Sequence, residues 1–115
     1  MKRLIRGLRS RPEVDSTPPV RVGCIPIAEA PLGKLVRIHG DITSVILRPA
    51  TTNRALEAEI DDGVDRLVIV WLGRTSIRGI EPGRGITVEG RVVWLHDQRM
   101  MHNPKYELAP RRTAE

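Results

Sequence analysis

Residues 80–108 read IEPGRGITVEGRVVWLHDQRMMHNPKYEL, and the fold of the whole chain turns on them. Glu81-Pro82-Gly83-Arg84 is a turn, because Pro presets φ and Gly supplies the positive φ such a turn needs. A strand follows. Ile86, Val88, Gly90, Val92 and Trp94 fall on one side of a period-two pattern, and Thr87, Glu89 and Arg91 on the other, with Val93 breaking the alternation. His96-Asp97-Gln98 predicts a hairpin loop. A last strand through Met100 and Met101 then runs into Asn103-Pro104-Lys105-Tyr106-Glu107-Leu108. These two strands are expected to close a small barrel built upstream.

Working outward, residues 34–47 form the first strand. Val36, Ile38, Gly40 and Ile42 take one face and Arg37, His39, Asp41 and Thr43 the other. At Val45-Ile46-Leu47 both faces turn apolar, as in a long strand that bends and changes partners. Gly40 marks the bend, since glycine tolerates tight curvature and close backbone approach. Residues 48–53 are a loop. Residues 54–61 form strand two, with Leu56, Ala58 and Ile60 inward and Glu57, Glu59 and Asp61 outward. Asp62-Gly63 is a hairpin signal. Residues 66–72 form strand three, whose unbroken apolar run Leu67 to Leu72 predicts burial on both faces. Residues 73–80 are short enough for one helical or 3₁₀ turn. A further helical turn is possible at Ala28-Glu29-Ala30, where the segment 20–32 packs on the barrel.

Five strands in the order long strand, hairpin, short helical connector, hairpin give an all-β fold class: a five-stranded OB-fold Greek-key barrel with a vestigial helix between strands three and four. Val36, Ile38, Ile42, Leu56, Ile60, Ile69, Ile86, Val88 and Val92 are its expected core. Around it the chain divides into a basic flexible arm and linker at 1–19, the barrel domain at 20–108 and a polar tail at 109–115.

Several runs carry a family resemblance: Trp71-Leu72, Ile80-Glu81-Pro82-Gly83, Val88-Glu89-Gly90-Arg91-Val92 and Met101-His102-Asn103-Pro104-Lys105-Tyr106-Glu107-Leu108. Together they resemble the OB-fold nucleic-acid-binding family, and within it the wedge domain of RecG-type branch-migration helicases. The likeness covers about residues 33–108. It implies binding of single-stranded or branched DNA in replication, recombination or repair. No G-x-x-x-x-G-K-[ST] phosphate loop is present, so the wedge's role as part of a motor does not carry over. The chain also looks like small stand-alone OB proteins of actinobacteria, and its 16 Arg against 3 Lys fits a GC-rich bacterial genome.

Composition bounds the alternatives. The 115 residues contain no Phe, two Trp and one Tyr, so the core must be aliphatic and β-branched, which favours sheet. No apolar run approaches the roughly 20 residues of a membrane span, and the N-terminus lacks the apolar stretch of a signal peptide. Cys24 stands alone, which fits a reducing cytoplasm as the expected location. The net charge is +5, but residues 1–12 hold five cations and no acid, whereas residues 33–108 hold 11 cations and 10 acids. Basicity therefore sits in the arm, and the barrel alone has modest affinity for phosphate.

Catalysis finds no support: an enzyme is not expected, nor is a cofactor or a metal. His39, His96 and His102 lack ligand spacing, Cys24 has no partner Cys, and Ser44 and Ser76 sit in no nucleophile elbow. Glu57, Glu59, Asp61, Asp62 and Asp65 cluster about one hairpin without the pattern of a calcium loop, and read as a solvated acidic hairpin. Binding finds more. OB-folds hold single strands on the face of strands two and three, between the loops joining strands one–two and four–five. Those loops offer Arg48, Asn53 and Arg54, and His96, Gln98 and Arg99, while Arg66, Arg91 and Lys105 add phosphate contacts. Trp71, Trp94 and Tyr106 are the planes on which bases can stack, and each Trp has the competing reading of core filler. Glu57 and Glu59 oppose a phosphate chain on this face. The expected partner is nucleic acid, with single-stranded or branched DNA preferred and RNA possible. The alternative is a protein-interaction module docking on a larger assembly. No membrane partner is expected.

Overall fold

The computed structural model describes residues 23–49 and 54–110. The arm at 1–19, the loop residues 50–53 with Asn53, and the tail from 111 onward lie outside them. Within the described residues the chain is all-β. Its strands are β1 (Leu35–Pro49), β2 (Arg54–Asp61), β3 (Arg66–Leu72), β4 (Gly85–Arg91), β5 (Val93–Leu95), β6 (Gln98–His102) and β7 (Lys105–Leu108). They form one mixed sheet in the order β5-β6-β3-β2-β1-β4-β7. Only β3 and β6 run parallel; the other five pairings are antiparallel.

The expected five strands become seven because two of them break. The fourth breaks at Val92. Leu35 pairs with Arg91 at the end of the β1–β4 ladder, the Val92 carbonyl accepts from the Gly33 amide at 2.8 Å, and Val93 then pairs with Met100. The chain has changed partners within one residue. The fifth breaks at Asn103-Pro104. Asn103 has φ +48, and Pro104 has no N–H to give to a ladder. β6 therefore ends beside β3, and β7 resumes beside β4. The hydrogen-bonded ladder is open, running from β5 to β7, so a closed barrel is not what forms. Yet β4 and β5 lie toward opposite ends of that ladder and are joined through Val92 alone, which forces the sheet to curl.

The connector after β3 holds no helix, contrary to expectation. Gly73 (φ +79) and Gly79 (φ +87) adopt left-handed conformations, and what lies between Leu72 and Gly85 is turns. The Ile80 amide donates to the Ile77 carbonyl at 3.1 Å, and the Arg84 amide to the Glu81 carbonyl at 3.2 Å across the Pro-Gly turn. Ile77 and Ile80, three apart, are both buried and plug the core. Among the described residues the one 3₁₀ helix spans Ile27–Glu29, with Ile27 buried.

Curvature begins at Gly40. β1 pairs with β4 from Leu35 to Asp41 and with β2 from Asp41 to Pro49, so the hand-over falls next to the glycine. A Cβ on Gly40 would overlap the Ile60 side chain and come within 2.9 Å of the Asp61 carbonyl oxygen. Thr43 is then a bulge in the register between Ile42 and Ser44. It moves the inward set from Ile42 to Val45 and Leu47, which is why the alternation fails there. Ile38, Ile42, Ile60, Leu67, Ile69, Ile86, Val88, Val92 and Met101 are almost wholly excluded from solvent. Each such side chain contributes about 1.5–3 kcal/mol through its transfer from water. Of the expected core only Val36 is half-buried.

Candidate nucleic-acid interface

Register fixes which side chains share the outer face of β1, β2, β3 and β6. One row runs Ser44, Glu59, Val68, Met100 and Val93; the next runs Ile46, Glu57, Val70 and His102. Arg48, Ala55 and Leu72 end the face toward the β1–β2 loop, and Asp61 and Arg66 end it toward the β2–β3 hairpin. Ser44, Ile46, Arg48, Glu57, Glu59, Val68 and Gln98 line a shallow depression here, about 170 Å³ in volume. The face is thus an apolar strip with charges along β2, exposed at Ile46, half-buried at Val68 and buried at Val70 and Met100.

Those charges are compensated. The Arg48 Nε lies 3.1 Å from a Glu57 carboxylate oxygen. Arg66 reaches Glu59 at 3.7 Å and Asp61 at 3.9 Å. Both guanidiniums are largely exposed, so each pair is worth only about 0–1 kcal/mol. A phosphate can redirect such a guanidinium at little cost. The acids that oppose a phosphate chain in the sequence are therefore partly neutralised by cations on the flanking strands.

The β2–β3 hairpin uses its acids internally. Asp62 accepts from the amides of Val64 (3.0 Å) and Asp65 (2.9 Å) through one oxygen and of Ile27 (2.9 Å) through the other. Asp61 accepts from the Gly63 amide. Asp65 accepts from Arg99 Nη1 at 2.7 Å. No group of three or more His, Cys, Asp or Glu among the described residues is arranged to hold a metal ion.

The predicted site residues do not gather in one place. Arg48 and Arg66 flank the outer face, and Arg54 starts β2 beside the β1–β2 loop. Trp71 points inward and is 5 % exposed, so it fills the core rather than offering a face. Its indole N–H is buried without a hydrogen-bond acceptor, and its ring meets Tyr106 edge-on with centroids 5.7 Å apart. Trp94 is 51 % exposed, and the Arg99 guanidinium sits 5.7 Å from its ring centroid. Arg99 is a brace: besides Asp65, it approaches the Ala28 carbonyl at 3.5 Å. Arg91 donates to the Gly33 carbonyl at 2.9 Å. Lys105 pairs in register with Glu89 on β7 and β4, off the rows of the strip. The turn between β5 and β6 is His96-Asp97 alone, with φ +53 and +62, and Gln98 already belongs to β6.

Sequence reasoning missed the apolar strip itself. Its signals were Ile46, Val68 and Val70, apolar on the outward side, which the sequence reads as a strand bend and as burial on both faces of β3; Val70 is buried, as that reading expects. Among the described residues no Trp or Tyr lies on the rows of this strip, and its one aromatic ring is the exposed His102.

No family model matches the chain. No curated protein matches it either. Among solved structures it is similar to RecG in the structure of RecG bound to a three-way DNA junction, with a TM-score of 0.57 and 24 % sequence identity. That match covers 70 % of this chain and 11 % of the RecG chain, so the chain spans about a tenth of the protein it resembles. At this identity the likeness is one of fold. No helix among the described residues is long and apolar enough to cross a membrane.

Proposed function

We propose that this chain is a non-enzymatic nucleic-acid-binding module of OB type that takes single-stranded or branched DNA across the outer face of β1, β2, β3 and β6. The observation that carries this reading is the face itself: an apolar strip, exposed at Ile46 and Leu95 and closed over at Val70 and Met100, bounded by Arg48 and Arg66, whose exposed ion pairs are weak enough to yield to phosphate. The topology supports it. β1 is shared by two ladders and β6 is parallel to β3, and we read β4–β5 and β6–β7 as each one interrupted strand of an OB-type order. The likeness to a RecG structure that holds a DNA junction supports the same class of partner. Half-exposed Trp94 offers one ring face at the β5–β6 end, with Arg99 near the ring.

The test is fluorescence anisotropy of the full chain with single-stranded, duplex and forked oligonucleotides over a salt series. Binding that favours single-stranded or forked DNA and weakens with salt is expected. No detectable affinity for any of them at low salt would sink the reading. A protein-docking function would then take its place, favoured by Ile46 and Leu95, which are 45 % and 42 % exposed on the same strip.

A further inference from the structure

The charges of the molecule are sorted by end. Toward the β2–β3 and β5–β6 hairpins lie Asp61, Asp62, Asp65 and Asp97, and the cations there, Arg66 and Arg99, are engaged with carboxylates. The opposite end holds the start of β2, the end of β3 and the crossing from β6 to β7. Here the Gly73 amide donates to the Arg54 carbonyl at 2.7 Å, which seats Arg74 next to Arg54. The Leu72 amide donates to Asn103 Oδ1 at 2.9 Å, which ties the crossing that leads to Lys105 onto the same end. Arg54, Arg74 and Lys105 are exposed, and none has a carboxylate partner among the described residues. Half-exposed Tyr106 follows Lys105 directly.

We infer that this end is the phosphate-holding site, with Arg54 and Arg74 as its principal contacts, and that single-stranded nucleic acid is anchored there before it crosses the strip. The inference rests on the proposed function and deepens it. A cation that already neutralises a carboxylate adds little net field, whereas an unpaired one contributes its whole charge to attracting a polyanion. Arg48, Arg66 and Arg99 are of the first kind, while Arg54 and Arg74 are of the second. The acidic hairpin end repels the same chain, so the ligand is held asymmetrically. Arg74 lies in the connector, a segment that strand-and-loop reading of the sequence assigns no role.

The experiment compares the full-length protein with R54Q/R74Q and with R48Q/R66Q, measuring affinity for a fluorescent oligothymidine across a salt series. Far-ultraviolet circular dichroism and thermal melting confirm that each variant is folded; all four positions are exposed. Each phosphate contact on a single strand contributes about 0.7 to the log–log salt slope, so R54Q/R74Q is expected to lower it by about 1.4. R48Q/R66Q removes the cations that flank the strip, which are shared with Glu57, Glu59 and Asp61, and is expected to lower the slope by less than R54Q/R74Q does; an equal or larger drop would overturn the ranking. Equal slopes for R54Q/R74Q and the parent, in a parent that binds DNA, would overturn the inference and leave the proposed function standing. A parent that binds polyglutamate but no oligonucleotide would overturn both, and mark the end as a site for acidic protein.

Discussion

Gly40 sits where β1 passes from one partner strand to the other. A methyl group there would run into Ile60 and the Asp61 carbonyl, both on the strand that β1 is about to meet. Gly40→Ala is expected to destabilise the protein by about 1–3 kcal/mol, the usual cost of forcing volume into a packed site. Urea unfolding measures it, and a cost near zero would mean that β1 bends elsewhere. The two tryptophans make a second comparison. Trp71 is enclosed, so Trp71→Ala is expected to cost about 3–5 kcal/mol of stability. Trp94 is half in solvent, and Trp94→Ala is expected to leave melting nearly unchanged. If its ring stacks on a base, the same change weakens DNA binding by roughly 1–3 kcal/mol. Melting and affinity measured on both variants separate core from interface. The sequence left both readings open for each Trp, because period-two parity places a side chain on a face but does not say what covers it.

At the scale of elements, the hairpin between β2 and β3 is held by Asp62 rather than by Gly63 alone. One carboxylate accepts three amides, and one of these belongs to Ile27, whose side chain is fully buried. Asp62→Ala would leave the three donors short of a partner, at about 1–3 kcal/mol for each that stays buried and unsatisfied. Water can reach the exposed Val64 amide, so the loss concentrates on the other two. Hydrogen exchange is expected to speed at Ile27 and Asp65 while β4 stays protected; uniform acceleration would show that the hairpin is not a separate unit. The bounds of β2 and β3 were legible from the sequence because their alternation and flanking turn residues agree. The break at Val92 was not, since nothing local distinguishes a strand that keeps its partner from one that exchanges it. The expected 3₁₀ turn after β3 failed for a local reason: Gly73 and Gly79 both take positive φ, which interrupts helix. The acidic hairpin read as solvated charge because sequence does not show that backbone amides will use those carboxylates.

For the whole molecule the governing quantity is where charge lies relative to the sheet. Residues 33–108 are nearly neutral, with 11 cations against 10 acids, while residues 1–12 carry five cations and no acid. A nearly neutral body with one unpaired basic end can orient a strand but holds it weakly, because affinity for nucleic acid scales with the phosphates neutralised. The arm is therefore expected to supply strength, and the body geometry. Deleting residues 1–12 should lower the salt slope by up to about 3.5 if all five cations touch a single strand, at about 0.7 each. Phosphate contacts carry no base information. The deletion should consequently weaken binding to every oligonucleotide by a similar factor, keeping any preference for single-stranded or forked DNA over duplex. In the proposed reading any such preference belongs to the curled sheet, and it should vanish only when the strip or its basic end is altered. A deletion that leaves the slope unchanged would mean that the arm does not touch the backbone. A deletion that erases the preference along with the affinity would mean that the arm, rather than the sheet, selects the ligand.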